Sequence, residues 1–404
     1  MERSLNILCL SCELKGQDLL RELKAEGNRV FLVTSENLRD EPWPYEAIDE
    51  IFFAKAEKHC VWDMEEVILG LAHLFRETAI DRIIAIDDFD VEKAALLREE
   101  FRIPGMGQTT ARYFRDKLAM RQRAAEKGIH GPLFSPLTNN AAVNSFLDTA
   151  EGPWIIKPRG EAAAVGISKV ETKDQAWEVI NALEEKRHQF LIEQFKPGDV
   201  YHVDTISDNG QVAFSSVARY LNTPFEVAHG GGIFRSVLLP YDSEDHQKLE
   251  AANRELLAAF GMRNGASHSE FIKSREDGRF NLVETSARVA GAHLSDMIEK
   301  ATGFNLWREW ARLETARAKD VPYVLPPLRK DYAGIIVSLS KHEKPDTSSF
   351  DDPEIVWRID KHHHVGFIVV SDKYERVEQL MDDYAERIRK DFHASMAPKK
   401  TFRE

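Results

Sequence analysis

Apolar residues in the first quarter of the chain fall into short runs separated by stretches of helical periodicity. Asn6–Cys12 (NILCLSC) is one such run. A helix starting at Gly16 carries Leu19, Leu20 and Leu23, and Arg29–Ser35 (RVFLVTS) is the next strand. A further helix around Met64–Thr78 precedes Arg82–Asp88 (RIIAIDD). Short apolar runs alternating with amphipathic helices predict a parallel sheet. In such sheets the groups at the carboxyl ends of strands face the ligand crevice. Asp87 and Asp88 occupy one such end, where a solvated turn or a helix cap is an equally good reading.

Beyond residue 105 the pattern changes. Thr109–Gly128 reads as a charged amphipathic helix and is followed by Gly131-Pro132. A helix (Asn140–Ala150), the strand in PWIIKPRG, the segment ISKVET, a helix (Lys173–Lys186) and the strand in QFLIEQF form a small α+β unit. Antiparallel-looking strands follow in VYHVDTIS, QVAFSSVARY and FRSVLLP. A helix (Ser243–Phe260) then leads into HSEFI and NLVETSARVAGAH. Pro322–Pro327 reads as a linker. The remainder, with strands at Gly334–Ser338 and Val365–Val370 and a helix at Lys373–Lys390, reads as a small closing α+β element, with Lys399–Glu404 expected to fray. The fold class is therefore α/β and α+β, divided at 1–108, 109–192, 193–325 and 326–404.

A chain of 404 residues suits two or three packed domains. Its net charge of −13 repels phosphate backbones at long range and argues against nucleic acid as a partner. Cys9, Cys12 and Cys60 are too few for a disulfide scaffold. Cys9 and Cys12 have C-x-x-C spacing, but no second pair completes a zinc site, so buried reduced thiols are expected. The N-terminus is too charged for a signal peptide, and no run approaches about 18 apolar residues, so no membrane partner and a cytoplasmic location are expected.

The candidate chemistry concentrates in HSEFI and NLVETSARVAGAH. Glu270 and Glu284 sit on two neighbouring strands, with a hydroxyl at Ser286 and a guanidinium at Arg288. Mg²⁺ takes oxygen ligands, usually one or two carboxylates with phosphates and water. Two such carboxylates would repel each other unless a cation bridged them; pairing of each with an arginine or a helix end is the competing reading. Lys157 leaves an apolar strand beside the small-residue loop GEAAAVG, where an ammonium can reach phosphate oxygens. Lys117, on a polar helix, reads by itself as solvated. Glu193 ends an apolar strand before Pro197-Gly198, either as a hinge or as an ordinary strand-to-turn transition. The glycine-rich loop Ala228–Gly232, flanked by Arg219 and Arg235, reads as a mobile flap or a plain turn, and the arginines could grip a carboxylate. His362–His364 cannot converge on one ion from a strand, where side chains alternate.

Taken in order, DKLAMRQRAAEKGI, IIKPRG, IEQFKPGDVYHVD, HSEF and VETSARVAG resemble the ATP-grasp superfamily, in particular its carboxylate–amine (amino-acid) ligases. The resemblance covers nearly the whole chain. It implies an N-terminal Rossmann-like domain over 1–108, an ATP-grasp small lobe over 109–192 and a large lobe with the metal site over 193–325. It also implies roles. Lys117 and Lys157 would hold ATP phosphates, with Gly166 in the phosphate loop. Glu193 would form the adenine hinge with the backbone of Gln194 and Phe195. Glu270, Glu284 and Ser286 would hold Mg²⁺, with Mn²⁺ as an alternative. Arg288 and Lys157 would be catalytic, Arg288 beside the γ-phosphate.

Three departures stand out. Ser286 replaces a frequent asparagine. Val200 falls where a ribose-binding glutamate is common, leaving Asp199 as its substitute. Ala162–Val165 replace most of a glycine- and serine-rich loop. The implied activity is ATP-driven activation of a carboxylate as an acyl phosphate for attack by an amine. The carboxylate and amine are small molecules, contacted by Arg219, Arg235 and His229, and a homodimer is the generic expectation. A non-amine nucleophile, or a nucleotide-binding regulatory protein with a weakened site, are the alternatives.

Overall fold

The parallel pattern of the N-terminal region is realised by β1 (Asn6–Ser11), β2 (Arg29–Ser35) and β3 (Glu50–Ala54). A two-stranded hairpin of β4 (Ala56–Lys58) and β5 (Val61–Trp62) follows, and then β6 (Arg82–Ala85). The order is β3-β2-β1-β6, with every pairing parallel. Ile7 to Leu10 are fully buried because helices cover both faces, as an all-parallel sheet requires. This computed structural model describes residues 3–162 and 165–396. Ala163 and Ala164 of the alanine-rich loop and the terminal segment Lys399–Glu404 lie outside the described residues.

The second sheet contains β7 (Phe134–Pro136), β8 (Trp154–Pro158), β9 (Ser168–Val170) and β10 (Phe190–Gln194), in the antiparallel order β7-β10-β8-β9. The helices Asn140–Thr149 and Lys173–Ala182 cover one face, packing Val143, Phe146 and Ile180 on Trp154, Ile156 and Ile192. Side chains alternate across a strand. Lys157 and Glu193 therefore project from the opposite, uncovered face.

The third sheet has eight antiparallel strands. These are β11 (Gly198–Asp208), β12 (Gln211–Tyr220), β13 (Phe234–Leu238), β14 (Gly265–Ser274), β15 (Phe280–Ser286), β16 (Tyr332–Leu339), β17 (Ile355–Arg358) and β18 (His364–Ser371). Their order is β15-β14-β11-β12-β13-β16-β18-β17, so the C-terminal strands continue the sheet that carries the two glutamates. The helix Tyr374–Asp391 lies on this extension through Val377, Leu380, Met381, Tyr384 and Ile388, spaced three and four apart along one face. Gly334 permits the contact, since a Cβ there would stand 2.8 Å from Met381 Cγ.

The helix Leu306–Ala318 ties the first sheet to the third. Asn28 donates to Thr315 Oγ1 at 2.8 Å, and Arg317 grips both oxygens of Asp208 at 2.6 and 2.8 Å. Among the described residues, no helix is long and apolar enough to cross a membrane.

Three local expectations are corrected. The continuous helix at 109–128 is two, Gln108–Tyr113 and Lys117–Glu126, because Asp116 caps the second by accepting from the N–H groups of Leu118 and Ala119. The glycine-rich segment is mostly helical over Pro224–Gly230, started by a capping box between Thr223 and Glu226 and ended by Gly231 at φ 63°. The thiols do not all stay reduced: Cys12 and Cys60 form a disulfide, while Cys9 is free and buried. Cys9 lies within β1, whereas Cys12 lies past its end and meets the tip of the β4–β5 hairpin.

Candidate functional site

The uncovered face of the second sheet meets the β14–β15 edge of the third. In the β8–β10 ladder Lys157 pairs with Leu191, and Glu193 is the next residue of β10 on the same face. Lys157 Nζ lies 2.7 Å from Glu193 Oε2. Burial pushes the Lys157 ammonium down, only partly offset by Glu193, to about 8. Burial would push the Glu193 carboxyl up, but Arg121 and Lys157 outweigh it and hold the group below its ordinary value. Arg121, from the helix Lys117–Glu126, reaches Glu193 Oε1 at 2.8 Å and donates to the Val283 carbonyl at 2.6 Å. One guanidinium thereby links the second sheet to β15.

The Asp116 cap fixes the start of that helix and binds the Arg159 side chain. Lys117 is the first helical residue. Its ammonium lies 3.0 Å from Glu284 Oε2 and donates to the Glu161 carbonyl at 2.8 Å, joining the β15 carboxylate to the loop after β8. Burial opposes ionisation of Glu284, but Lys117 and then Lys157 prevail and lower its pKa.

Glu270 and Glu284 are directly paired across β14 and β15, with a bulge following Glu270. Such partners hold their Cβ atoms about 5 Å apart on one face. Glu270 Oε1 accepts from Tyr220 Oη at 2.9 Å and lies 3.5 Å from His268 Nε2. Beside it, β11 and β14 set His202 opposite Glu270 and Asp204 opposite His268. Asp204 binds the Nδ1 atoms of His202 and His268 at 2.7 and 2.9 Å, and His202 Nε2 meets Ser236 Oγ at 2.8 Å. Burial alone would lower the His268 pKa; Asp204 reverses this and raises it to about 10. This network was missed in the sequence, although His202-x-Asp204 and His268-x-Glu270, at the two-residue strand period, were its signal.

Ser286 ends β15, buried, opposite His268. Arg288 turns towards the first sheet and binds Asp88 through Nε at 2.8 Å and Nη2 at 2.6 Å. Burial opposes the Asp88 charge, but Arg288 and Arg115, with the Ser286 hydroxyl, hold the carboxyl well below its usual range. Asp88 sits beyond β6, and Asp87 caps the turn Asp88–Asp90 by accepting from the Phe89 N–H, which is the helix-cap reading of that strand end. Glu284 also feels Asp88, and Arg288 feels Glu284, so the three elements share one electrostatic centre.

Lys117, Lys157, Glu193, Glu270, Glu284, Ser286 and Arg288 thus come together; other sequence candidates do not join them. Asp199 lies exposed, 3.6 Å from Arg275. The N–H groups of Gln194 and Phe195 donate to the carbonyls of Leu133 and Pro153, so neither donor is open to a ligand. Gly166 takes a turn at φ 72°. Arg219 pairs with Glu378 and Arg235 with Asp382, both on the helix Tyr374–Asp391, and His229 stacks on Phe225. The His362–His364 run joins neither of the metal-competent clusters found among the described residues.

Sheets in this order, with lysines on one and facing carboxylates on the next, are the ATP-grasp fold, and residues 150–296 match the family model described as an ATP-grasp domain. The resemblance read from the sequence is borne out. Among solved structures, an L-amino acid ligase from Bacillus licheniformis superimposes with a TM-score of 0.76 at 16% identity, covering 98% of this chain and 100% of that one. The ADP complex of N5-carboxyaminoimidazole synthetase from Staphylococcus aureus gives 0.71 at 15% identity, covering 95% and 98%. Among curated relatives, the L-arginine-specific L-amino acid ligase of Bacillus subtilis is 22% identical over 243 residues, 59% of this chain and 58% of the relative. The alanine–anticapsin ligase of Bacillus subtilis strain 168 is 24% identical over 290 residues, 65% of this chain and 59% of that one. The chain therefore spans less than two thirds of the length of the curated relatives it matches.

Proposed function

We propose that this protein is an ATP-dependent carboxylate–amine ligase that forms an amide bond and releases ADP and phosphate. The observation that carries the reading is the contact of Glu284 with Lys117, beside Lys157 and directly opposite Glu270. It joins a cationic surface suited to phosphates with a carboxylate pair suited to a divalent ion. The ligase names borne by similar proteins support the same class. The protein's units end at residues 108, 192 and 325.

The donor set tests well against Mg²⁺. Glu270 and Glu284 are hard oxygen donors on one face, and Ser286 adds a neutral oxygen two residues beyond Glu284. These residues would hold the ion, which when bound neutralises phosphate charge. The chain's own groups do the rest. Lys117 and Lys157 hold phosphate oxygens, and Arg288 stabilises charge on the group in transfer. A substrate carboxylate oxygen attacks the γ-phosphorus, the bond to the ADP oxygen breaks, and an acyl phosphate forms. An amine then attacks the acyl carbon and phosphate leaves. Positioning supplies most of the acceleration in such a reaction, since no side chain forms a covalent bond. Glu193, with the backbone of Gln194 and Phe195, lies where the proposed adenine hinge would be.

Mass spectrometry of products formed from ATP, Mg²⁺ and a library of amino acids and small acids tests the reading. An amide product with matching ADP is expected, and Glu284→Ala should abolish both while keeping the fold. ATP binding by calorimetry without product from any acid–amine pair would instead favour the nucleotide-binding alternative.

A further inference from the structure

We propose that Cys12, Glu13, His59 and Cys60 form a redox-gated binding site for a thiophilic divalent cation of the zinc class. Two dipeptides from distant parts of the chain face each other here. Cys12-Glu13 lies just beyond β1, and His59-Cys60 forms the turn between β4 and β5. The two sulfurs are bonded to one another. Glu13 Oε1 touches His59 Nε2 and lies 3.9 Å from Cys60 Sγ, and the ligand atoms of Glu13, His59 and Cys60 all fall within 4.8 Å of one another.

Adjacent residues of a strand point to opposite faces, so His59 and Cys60 could not both reach Glu13 from a regular hairpin. Cys60 takes a left-handed backbone at φ 59°, uncommon for a residue with a side chain, and this turn brings both groups to one side. Cys12 is anchored in turn by its N–H, which donates to Asp90 Oδ2 at 3.0 Å. The sulfurs are interior, while the side chains of His59 and Glu13 stay 29% and 22% exposed, leaving a path from solvent to the cluster.

Two thiolates, an imidazole and a carboxylate make a tetrahedral donor set for Zn²⁺. With the sulfurs bonded there is no thiolate, and the site is closed. A small dithiol opens it: its thiolate attacks one sulfur and breaks the Cys12–Cys60 bond. The dithiol closes to its own disulfide, and two electrons and two protons pass to the cysteines. An entering cation then displaces the two thiol protons to solvent. Cys9, sealed inside β1, takes no part. Glu270 and Glu284 offer only oxygen and form a chemically distinct centre.

The test uses the full-length protein, reduced, freed of reductant without air, and titrated with Co²⁺. Reduced protein should bind one Co²⁺ per chain with a thiolate-to-cobalt charge-transfer band and tetrahedral visible bands, both removed by Zn²⁺. Oxidised protein should give no such band. Cys60→Ser should weaken the band, the double variant Cys12→Ser/Cys60→Ser should abolish it, and His59→Ala should weaken binding about 10-fold or more. If variants fold poorly, alkylation of reduced wild-type protein gives an independent measure: Zn²⁺ should protect Cys12 and Cys60. Absence of the charge-transfer band in reduced protein, its persistence in Cys12→Ser/Cys60→Ser, or equal alkylation with and without Zn²⁺ would overturn the proposal.

Discussion

Glu270 and Glu284 stand directly opposite each other on adjacent strands, each already held by a group from elsewhere: Glu270 by Tyr220 and Glu284 by Lys117. Two carboxylates at this spacing repel one another, and the surrounding lysines reduce that repulsion without removing it. In the proposed reaction the pair acts as one unit. Glu270→Gln and Glu284→Gln should each lower substrate-dependent ADP release by about 100-fold or more, and the double variant should lose little beyond either single change. Steady-state rates for the four proteins check this. Simple additivity would show that the two groups act apart.

Lys157 gives the proposed site a pH signature. Its pKa is pushed down to about 8 by burial, so the ammonium is present below that pH and is lost as pH rises through it. ATP affinity should therefore fall above about pH 8. Lys157→Arg should flatten the dependence, because a guanidinium stays charged across this range. Calorimetric titrations at several pH values measure it. The stability effect has the opposite sign: between about 8 and the ordinary lysine value the unfolded chain binds more protons, so the Lys157 contribution rises with pH.

Arg121 is buried and bridges Glu193 to the Val283 carbonyl. Arg121→Met should destabilise the protein by roughly 3–5 kcal/mol, because it leaves Glu193 buried with only Lys157 to compensate it. Pairing it with Glu193→Gln should recover part of that loss. Chemical denaturation of the two single variants and the double variant decides the matter.

Gly198 starts β11 where the chain passes between the second and third sheets. A Cβ there would stand 2.1 Å from the Lys273 carbonyl oxygen, a backbone atom that cannot swing aside. Gly198→Ala should cost about 1–3 kcal/mol, seen as a lower melting temperature, whereas Gly278→Ala changes a glycine with open space around it, leaving only the strain of its positive φ.

Strand ends and strand pairs were legible in the sequence because their signals are local. Short apolar runs placed Glu270 and Glu284 on neighbouring strands, and the run RIIAIDD placed Asp87 and Asp88 at a strand end. What could not be read were partners. Arg288 finds Asp88 two hundred residues upstream, and no local pattern predicts that distance. Arg121 carried no signal of its own within a charged helix, yet it is among the largest fully buried side chains, because its guanidinium bridges Glu193 and the Val283 carbonyl. Arg219 and Arg235 were read towards a substrate from their proximity to a glycine-rich loop. Their guanidinium groups instead meet the acidic face of the last helix, a segment absent from any local window. The break at Asp116 was legible in principle, since an aspartate before Lys-Leu is an ordinary helix start.

The C-terminal strands complete the sheet that carries both glutamates, so a chain still emerging from the ribosome cannot finish that sheet early. β13 waits with one edge unpaired and Val237 uncovered until β16, β18 and the last helix arrive. During that interval an open edge invites pairing with other nascent chains. A fragment ending at the proline-rich segment would keep that edge for good, and would be expected to need chaperone protection or to precipitate.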